Sequence, residues 1–260
     1  MKPLAAMPDP TGLRGLLFDI DDTLTTEGKL TAPAYAVMQR LRDAGKRVVP
    51  ITGRPAGWCD HIARMWPVDA VIGENGAFYF CLAEGKLIKR YHDDAEVRAR
   101  NRARLEAIGG RILAQVPGSA LAADQPYRES DLAIDYCEDV PALPLEAAKR
   151  IAALMGAAGL TAKISSIHVN GWFGSYDKLA MTQRLFAERF ACDAATLRAQ
   201  FAFAGDSPND APMFEFFDHS VGVANVARFK GRLRSEPKYV TRAAAGAGFA
   251  ELAEHLLGSC

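Results

Sequence analysis

The chain has 260 residues, of which 49% are hydrophobic and 24% are charged, a composition typical of a soluble globular protein with one or two domains. Its 31 basic residues balance 31 acidic ones, and the resulting net charge of zero argues against nucleic-acid binding through bulk electrostatics. No apolar run is long enough to predict a membrane span. The N-terminal segment lacks the apolar stretch of a secretory signal. The five scattered cysteines predict reduced thiols in a cytoplasmic protein.

The first third of the chain alternates strand-like and helical segments. Residues 14–18 form a short apolar run that predicts a buried strand, and a helix is predicted from the N-cap residue Thr31 to a stop at Gly45. Three segments continue the alternation: a strand over 47–51 with Pro50 at its carboxyl end, a helix over 56–65 and a strand over 70–72. This order is typical of a parallel, doubly wound sheet.

The pattern changes in the middle of the chain. Strand-like segments on either side of Glu84-Gly85-Lys86 predict a hairpin, and an arginine-rich helix follows over about 94–115. The arginines of this helix recur every two residues, which spreads them around it and favours a solvated face over a nucleic-acid face. The remaining predicted elements are strands near 125–128 and 132–137, a helix over 143–158, and a strand pair over 161–169 and 172–176.

Strand and helix alternate again from Asp177 onward. The predicted elements are a helix to about 190, strands at 201–204, 220–223 and 239–241, and helices at 208–217 and 249–257. We therefore expect an α/β fold in which a Rossmann-like parallel-sheet core is formed by residues 1–82 and 173–260. The α+β segment between them, residues 83–172, is predicted to be an inserted cap domain with an antiparallel sheet.

Polar residues stand at the carboxyl ends of the predicted core strands, where open α/β sheets bind their ligands. They are Asp19-Ile20-Asp21-Asp22-Thr23, Thr52-Gly53-Arg54, Asp177-Lys178 at a helix start, and Gly205-Asp206-Ser207-Pro208-Asn209-Asp210. Acidic groups from two strands that meet over one crevice repel each other unless a cation lies between them. Because their ligand atoms are oxygens, the pattern favours Mg²⁺ over zinc.

The segments FDIDDTLT, ITGR, DK and GDSPND, in this order, resemble the haloacid-dehalogenase-like hydrolase superfamily. The place of the insert resembles its α/β-capped class, and Glu74-Asn75-Gly76-Ala77 with GDSPND resembles the branch of mannosyl-3-phosphoglycerate, sucrose-phosphate and trehalose-phosphate phosphatases. The resemblance implies a Mg²⁺-dependent phosphomonoester hydrolase that forms an aspartyl-phosphate. Its substrate is expected to be a small phosphorylated metabolite, a sugar phosphate or a glycosyl phosphoglycerate, with no nucleic-acid or membrane partner; the oligomeric state stays open.

The resemblance also implies a role for each motif residue. Asp19 is expected to be the nucleophile, and Asp21 the group that protonates the leaving oxygen and then deprotonates water. Thr52, Gly53 and Lys178 are expected to bind the phosphoryl group. The Mg²⁺ ligands are expected to be Asp19, the backbone carbonyl of Asp21, Asp206 and Asp210. A lysine in the first turn of a helix is disfavoured by the helix dipole, so its presence there is explained by an anionic partner nearby.

Several residues keep an alternative interpretation. Asp210 either serves the metal site and Lys178 or is an acid at a helix N-terminus; Thr52 either donates to phosphate or caps the next helix; Lys178 either pairs with anions or faces solvent. Asn209, Arg54 and the cap residues Arg128, Lys163 and Asn170 are candidates for substrate contact or support of the site. His168 is interpreted as structural, and Trp172 and Phe173 as packing residues at the cap hinge rather than a sugar platform.

Two other functions remain open from the sequence. A phosphomutase of the same superfamily would transfer the phosphoryl group between sugar positions, require a bisphosphate activator and release little free phosphate. A catalytically inactive binding protein is disfavoured because Asp19, Asp21, Lys178 and Asp206 are all present.

Overall fold

The structure, a computed structural model, describes residues 1–8, 10–165 and 167–258. The prediction of a reduced thiol at Cys260 lies outside these residues. The helices are α1 (Ala32–Asp43), α2 (Ala56–Met65), α3 (Ala95–Gln115), α4 (Leu145–Ala157), α5 (Lys178–Phe190), α6 (Ala194–Gln200), α7 (Ala211–Phe216) and α8 (Ala245–Leu257). The strands are β1 (Lys2–Pro3), β2 (Gly15–Phe18), β3 (Arg47–Pro50), β4 (Val71–Gly73), β5 (Phe78–Ala83), β6 (Lys86–Tyr91), β7 (Ala120–Leu121), β8 (Asp131–Asp135), β9 (Thr161–Ile164), β10 (His168–Trp172), β11 (Phe201–Gly205), β12 (His219–Gly222) and β13 (Tyr239–Val240).

A parallel sheet of six strands forms the centre of the molecule, in the order β1-β13-β12-β11-β2-β3. Strand β4 adjoins its edge, where the backbone N–H of Thr52 donates to the carbonyl of Ile72 at 2.9 Å. Pro50 ends β3, as predicted, at a position where its missing N–H does not interrupt the sheet. The predicted α/β fold with a parallel core is confirmed.

Both faces of this sheet are buried, which explains its continuous apolar strands. Leu16 and Phe18 of β2 point to one face and pack with α1 and α8, whereas Leu17 points to the other face and packs with α5 and α7. The predicted helix after β2 is confirmed: Thr31 is its N-cap residue, and Gly45 follows its end with a φ of +75°.

Antiparallel strands make up the rest of the sheet structure. Strands β7, β8, β10 and β9 form a four-stranded sheet in that order, covered by α3 and α4. The predicted hairpin is present as β5 and β6, and its turn places Glu84 and Gly85 at φ of +51° and +73°. This hairpin pairs with β4, so the third sheet connects the parallel sheet to the predicted insert.

Two predicted strand assignments are wrong. Residues 125–128 are not a strand but contain a single turn of 3₁₀ helix, Gln125–Tyr127. The side-chain amide of Gln125 bonds the backbone of β8 instead, donating to Asp131 O at 3.1 Å and accepting from Ala133 N at 2.8 Å. Pro126, which has no N–H to donate, favours the turn.

The second error concerns the strand pair after α4. The strands were predicted over 161–169 and 172–176, but they are β9 and β10, and β10 contains Asn170 and Gly171 and ends at Trp172. A Cβ on Gly171 would lie 2.6 Å from Met155 Sδ, so this position needs glycine for close packing and not for a turn. The chain reverses before His168, where Ser165 Oγ accepts from the His168 N–H at 3.0 Å.

Among the described residues, no helix is both long and apolar enough to cross a membrane. The polar segments singled out in the sequence all follow β2, β3, β4 and β11 at one edge of the sheets, beside the start of α5. This edge also faces β8 and β10, so side chains from the parallel and the antiparallel sheets meet there.

Candidate active site

The centre of the site is an ion triplet of Lys178 with Asp19 and Asp210. Lys178 Nζ donates to Asp19 Oδ1 at 2.7 Å and to Asp210 Oδ1 at 2.8 Å, and the lysine is only 4% exposed. Its position is fixed by the start of α5, where the side chain of Asp177 accepts from the Ala180 N–H at 2.8 Å. Gly76 touches this start so closely that a Cβ would lie 2.1 Å from Asp177 O. Lys178 therefore pairs with anions and does not face solvent.

Three carboxylates surround this one ammonium group. Oxygen atoms of Asp19, Asp206 and Asp210 lie within 4.8 Å of one another, and all three side chains are buried. Burial raises the pKa of Asp19 to about 7, and the charges of Asp210 and Asp21 add to it although Lys178 opposes them. Burial and the charges of Asp19 and Asp210 likewise raise the pKa of Asp206. The charged forms of Asp19 and Asp206 are thus disfavoured, because three neighbouring carboxylates share one ammonium group.

The same donor set suits a hard cation. Asp206 Oδ1 accepts from Thr23 Oγ1 at 3.4 Å, and Asp206 Oδ2 accepts from Asn225 Nδ2 at 3.0 Å, so its carboxylate is held in one orientation. Asp210 Oδ2 accepts from the Asp206 and Ser207 N–H groups at 3.2 and 3.3 Å. Every ligand atom that these residues offer is an oxygen, and a cation between the three carboxylates would offset their mutual repulsion. The residues present therefore fit Mg²⁺ better than zinc.

Thr52 and Gly53 lie next to this cluster, after β3. Thr52 is fully buried, and its Oγ1 accepts from the Arg54 N–H at 3.0 Å. It does not cap α2, whose N-cap residue is Pro55. Gly53 borders the cavity beside Asp19, and a Cβ there would press on the Asn75 side chain at 3.2 Å. The segment therefore brings backbone close to the space in front of Asp19.

Arg54 connects the predicted acid to the antiparallel sheet. Its Nε lies 3.1 Å from both Asp21 oxygens, and its Nη2 donates to Asp21 Oδ1 at 2.8 Å. The same Nη2 donates to Glu138 Oε1 at 2.9 Å. Glu138 Oε2 in turn lies 2.8 Å from His168 Nε2, and contact with His168, together with Arg54, lowers the pKa of Glu138 to about 2. Arg54 is buried, and its contacts support the predicted acid.

The predicted cap residues differ in their surroundings. Arg128 is buried and bonds Asp124 and Asp131 at 2.9 Å each, and it donates to Gly53 O at 2.9 Å. Asn170 Nδ2 donates to Asp131 Oδ2 at 2.9 Å; both Arg128 and Asn170 border the cavity at Asp19. Lys163 is exposed and lines a neighbouring cleft.

Asn209 and the two predicted packing residues are also placed. Asn209 lines the cavity at Asp19, and its Oδ1 accepts from Ser207 Oγ at 2.6 Å. Trp172 is buried, with Nε1 donating to Tyr176 O at 3.2 Å, and the ring of Phe173 lies under the Arg104 guanidinium. Both aromatic residues are packing residues, as predicted.

Sequence reasoning missed the role of Glu74. Its buried carboxylate accepts from the backbone N–H groups of Ala56, Glu129, Ser130 and Asp131 at 2.6–3.2 Å. It therefore ties the segment before β8 to the turn after β4. The backbone φ of +44° at Glu74 is a signal only the folded chain shows. Glu138 was missed as well, because it lies 84 residues from its partner Arg54 and no local pattern links the two.

Several known proteins resemble this chain in sequence or in fold. The family model described as haloacid dehalogenase-like hydrolase matches residues 16–99. A phosphoglycolate phosphatase of Methanothrix thermoacetophila is 24% identical over 251 residues, 94% of this chain and 97% of that protein. The C-terminal domain of a C. albicans trehalose-6-phosphate phosphatase superposes with a TM-score of 0.71 at 14% identity, covering 100% of both chains. A Synechocystis sucrose-phosphatase, solved with sucrose and phosphate, superposes with a TM-score of 0.62 at 17% identity, covering 94% of this chain and 98% of that one. The predicted resemblance and the predicted phosphatase class are thereby confirmed.

Proposed function

Because the chain is an enzyme of the phosphatase class that resembles the haloacid dehalogenase-like hydrolases in sequence and fold, we propose that it hydrolyses a phosphorylated sugar through an aspartyl-phosphate on Asp19. The observation that carries the proposal is the buried Lys178 ammonium, 2.7 Å from Asp19 and 2.8 Å from Asp210. A buried cation between two carboxylates adds little net stability to a fold. Such a cation is useful where a phosphoryl dianion must approach a carboxylate nucleophile, because its charge offsets the repulsion between the two anions.

The proposed reaction has two displacements at phosphorus. In the first, a carboxylate oxygen of Asp19 bonds phosphorus, the ester P–O bond breaks, and Asp21 gives its proton to the leaving alcohol. In the second, Asp21 takes a proton from water while the water oxygen bonds phosphorus, and the bond to Asp19 breaks to release inorganic phosphate. Lys178, Thr52 and the backbone at Gly53 would hold the phosphoryl oxygens during both displacements.

Asp19, Asp206, Asp210 and the carbonyl of Asp21 would hold the Mg²⁺ ion, which supplies charge neutralisation for the phosphoryl group when bound. Asp210 has a second task in the proposal, since it orients Lys178 toward Asp19 at the distance given above. In the proposal, Asp210 therefore serves both the metal site and Lys178.

Substrate entry requires the insert to move in this proposal. The cavity between Asp19, Arg54, His168 and Asn170 has a volume of about 20 Å³, about the room needed by one water molecule. A phosphoryl group does not fit there until Arg54 and Glu138 separate and Arg128 leaves the carbonyl of Gly53. We propose residues 83–172 as the moving cap on the core of residues 1–82 and 173–260.

A panel of phosphate esters with free-phosphate detection tests the function. It should include hexose and disaccharide phosphates, 2-phosphoglycolate, mannosyl-3-phosphoglycerate and acetyl phosphate, each with Mg²⁺ and with EDTA. Release of phosphate from a sugar phosphate with Mg²⁺ supports the proposal. Transfer between sugar positions without free phosphate would instead identify a mutase, and no turnover of any ester would identify a binding protein.

A further inference from the structure

Lys163 borders the site and makes no ion pair with any of the described residues. It is exposed and lines a cleft of about 260 Å³ that also contains Lys178. Asn75 and Asn209 line both this cleft and the cavity at Asp19, so the cleft continues from the space in which the phosphoryl group is proposed to bind. A free ammonium group therefore borders space that is continuous with the proposed phosphoryl site.

The other lysine and arginine side chains that line the cavity and the cleft are all paired with carboxylates. The pairs are Arg54 with Asp21, Arg128 with Asp124 and Asp131, and Lys178 with Asp19 and Asp210. Each of these pairs lies wholly within the proposed core or wholly within the proposed cap, so opening of the cap leaves it intact. Within the described part of the chain, Lys163 is thus the cation at the site that stays free whether the cap is open or closed.

The strand register places Lys163 beside the substrate space. Lys163 of β9 is directly opposite Asn170 of β10, and opposite residues of an antiparallel pair share one face of the sheet. Asn170 borders the cavity at Asp19, whereas Val169 and Ile164 pack with α3 and α4 on the other face. Adjacent strands are about 4.8 Å apart, so a group below Asn170 lies within reach of the flexible lysine side chain. This register is internal to one sheet and does not depend on the position of the cap.

We propose that Lys163 binds a second anionic group on the substrate, an inference that rests on the proposed function. The substrate is then a sugar phosphate that also carries a carboxylate or a second phosphate group, since an ammonium group pairs with either. The side-chain amides of Asn75 and Asn209 add hydrogen-bond donors to the cleft lining. The carboxylate in this lining, Asp177, accepts from the Ala180 N–H at the start of α5.

The test uses pairs of sugar phosphates that differ in the second anionic group. 6-Phosphogluconate is compared with sorbitol 6-phosphate, and fructose 1,6-bisphosphate with fructose 6-phosphate, each with Mg²⁺ and free-phosphate detection. The wild type should have the higher kcat/KM for the acidic member of one pair, and that pair shows whether the group is a carboxylate or a phosphate. In Lys163→Gln this ratio should fall on the order of tenfold, mainly through KM, because a binding contact to the ground state is lost.

Lys163→Arg keeps the positive charge and should retain most of the ratio. The matched control is Lys149→Gln, which removes an exposed lysine of α4 that lies outside the cleft, and it should leave the ratio unchanged. Both members of a pair are assayed on one preparation, so a loss of folded protein cancels in the ratio.

Two outcomes would overturn the inference while the phosphatase proposal stands. One is an unchanged ratio in Lys163→Gln, and the other is a wild-type preference for the neutral member of both pairs. Absence of hydrolysis of any ester by the wild-type protein would overturn the proposed function instead.

Discussion

Replacing Asp19 by asparagine should stabilise the metal-free protein while abolishing its activity. Burial, with the charges of Asp210 and Asp21, raises the pKa of Asp19 from 3.8 to about 7, and it does so although Lys178 Nζ lies 2.7 Å away. The folded protein therefore holds the ionised form of Asp19 at a net free-energy cost. Asparagine has nearly the same shape and removes that charge.

The size of the effect follows from the shift in pKa. About three pKa units correspond to about 4 kcal/mol, since each unit is worth roughly 1.4 kcal/mol. Because the folded pKa of Asp19 lies above its unfolded value, the penalty is absent below pH 4, grows between pH 4 and 7, and is complete above pH 7. The gain in free energy of unfolding should thus be near zero at pH 4 and approach about 4 kcal/mol at pH 8, or roughly 8–16 °C in Tm.

The assay is denaturant and thermal unfolding of both proteins in EDTA between pH 4 and 8, followed by circular dichroism. Asp135→Asn is the matched control, because the buried Asp135 carboxylate accepts from the N–H groups of Cys137, Glu138 and Asp139 at 2.8–2.9 Å. Its replacement should destabilise the protein by about 1–3 kcal/mol, the opposite sign. With excess Mg²⁺ the gap between wild type and Asp19→Asn should narrow, since the ion binds the folded wild type more tightly.

Two results would refute this reasoning. If Asp19→Asn is less stable than the wild type at pH 8 in EDTA, Asp19 is a structural carboxylate that the fold needs in its charged form. If the purified variant still releases phosphate from acetyl phosphate at a substantial rate, Asp19 is not the nucleophile.

Three further outcomes are expected. EDTA should abolish phosphate release, and Mg²⁺ should restore it better than Ca²⁺, whose looser coordination misplaces the nucleophile; full activity after exhaustive chelation would reject the metal site. Burial and the charge of Asp131 raise the pKa of Glu74 from 4.5 to about 8, so its ionisation costs stability as pH rises through this range. Glu74→Gln loses hydrogen bonds to backbone N–H groups and should lower the free energy of unfolding by about 1–3 kcal/mol at acidic pH in urea titrations, and this loss should shrink as pH rises, whereas the exposed Glu84→Gln should have no effect. Contact with His168 lowers the pKa of Glu138 to about 2, so its stabilisation is complete above pH 4.5 and is lost only as pH falls through 2. Glu138→Gln should therefore lower Tm equally at pH 7.5 and 9, and a difference between these values would contradict that.

Local patterns predicted the elements whose stability is also local. The helix predicted over 56–65 has those bounds in the structure, and the buried strand after residue 14 ends at Phe18 as expected. Capping residues, strand-end prolines and apolar periodicity all act within a few residues, so one sequence contains the whole signal. The sheet edge that collects Asp19, Thr52 and Asp206 followed from topology alone.

The two wrong strand assignments arose where a contact with a residue distant in sequence decides the local structure. Gln125 lies in a segment of strand-like composition, but its side-chain amide occupies the position beside β8 that a strand backbone would take. The predicted break between residues 169 and 172 falls inside β10, where a Cβ on Gly171 would lie 2.6 Å from Met155 Sδ of α4. Neither partner is near in sequence, so no window of residues contains the deciding contact.

Three of the residues placed against local preference lie at the site, an observation that is independent of any resemblance. Asp22, Glu74 and Asn75 have φ of +57°, +44° and +57°, a region that residues with a Cβ rarely adopt. Asp19 and Asp206 are buried with raised pKa values next to a third carboxylate. Strain and unbalanced charge persist where a ligand offsets them, so the fold's own unfavourable features point to the edge of the sheet where the motifs lie.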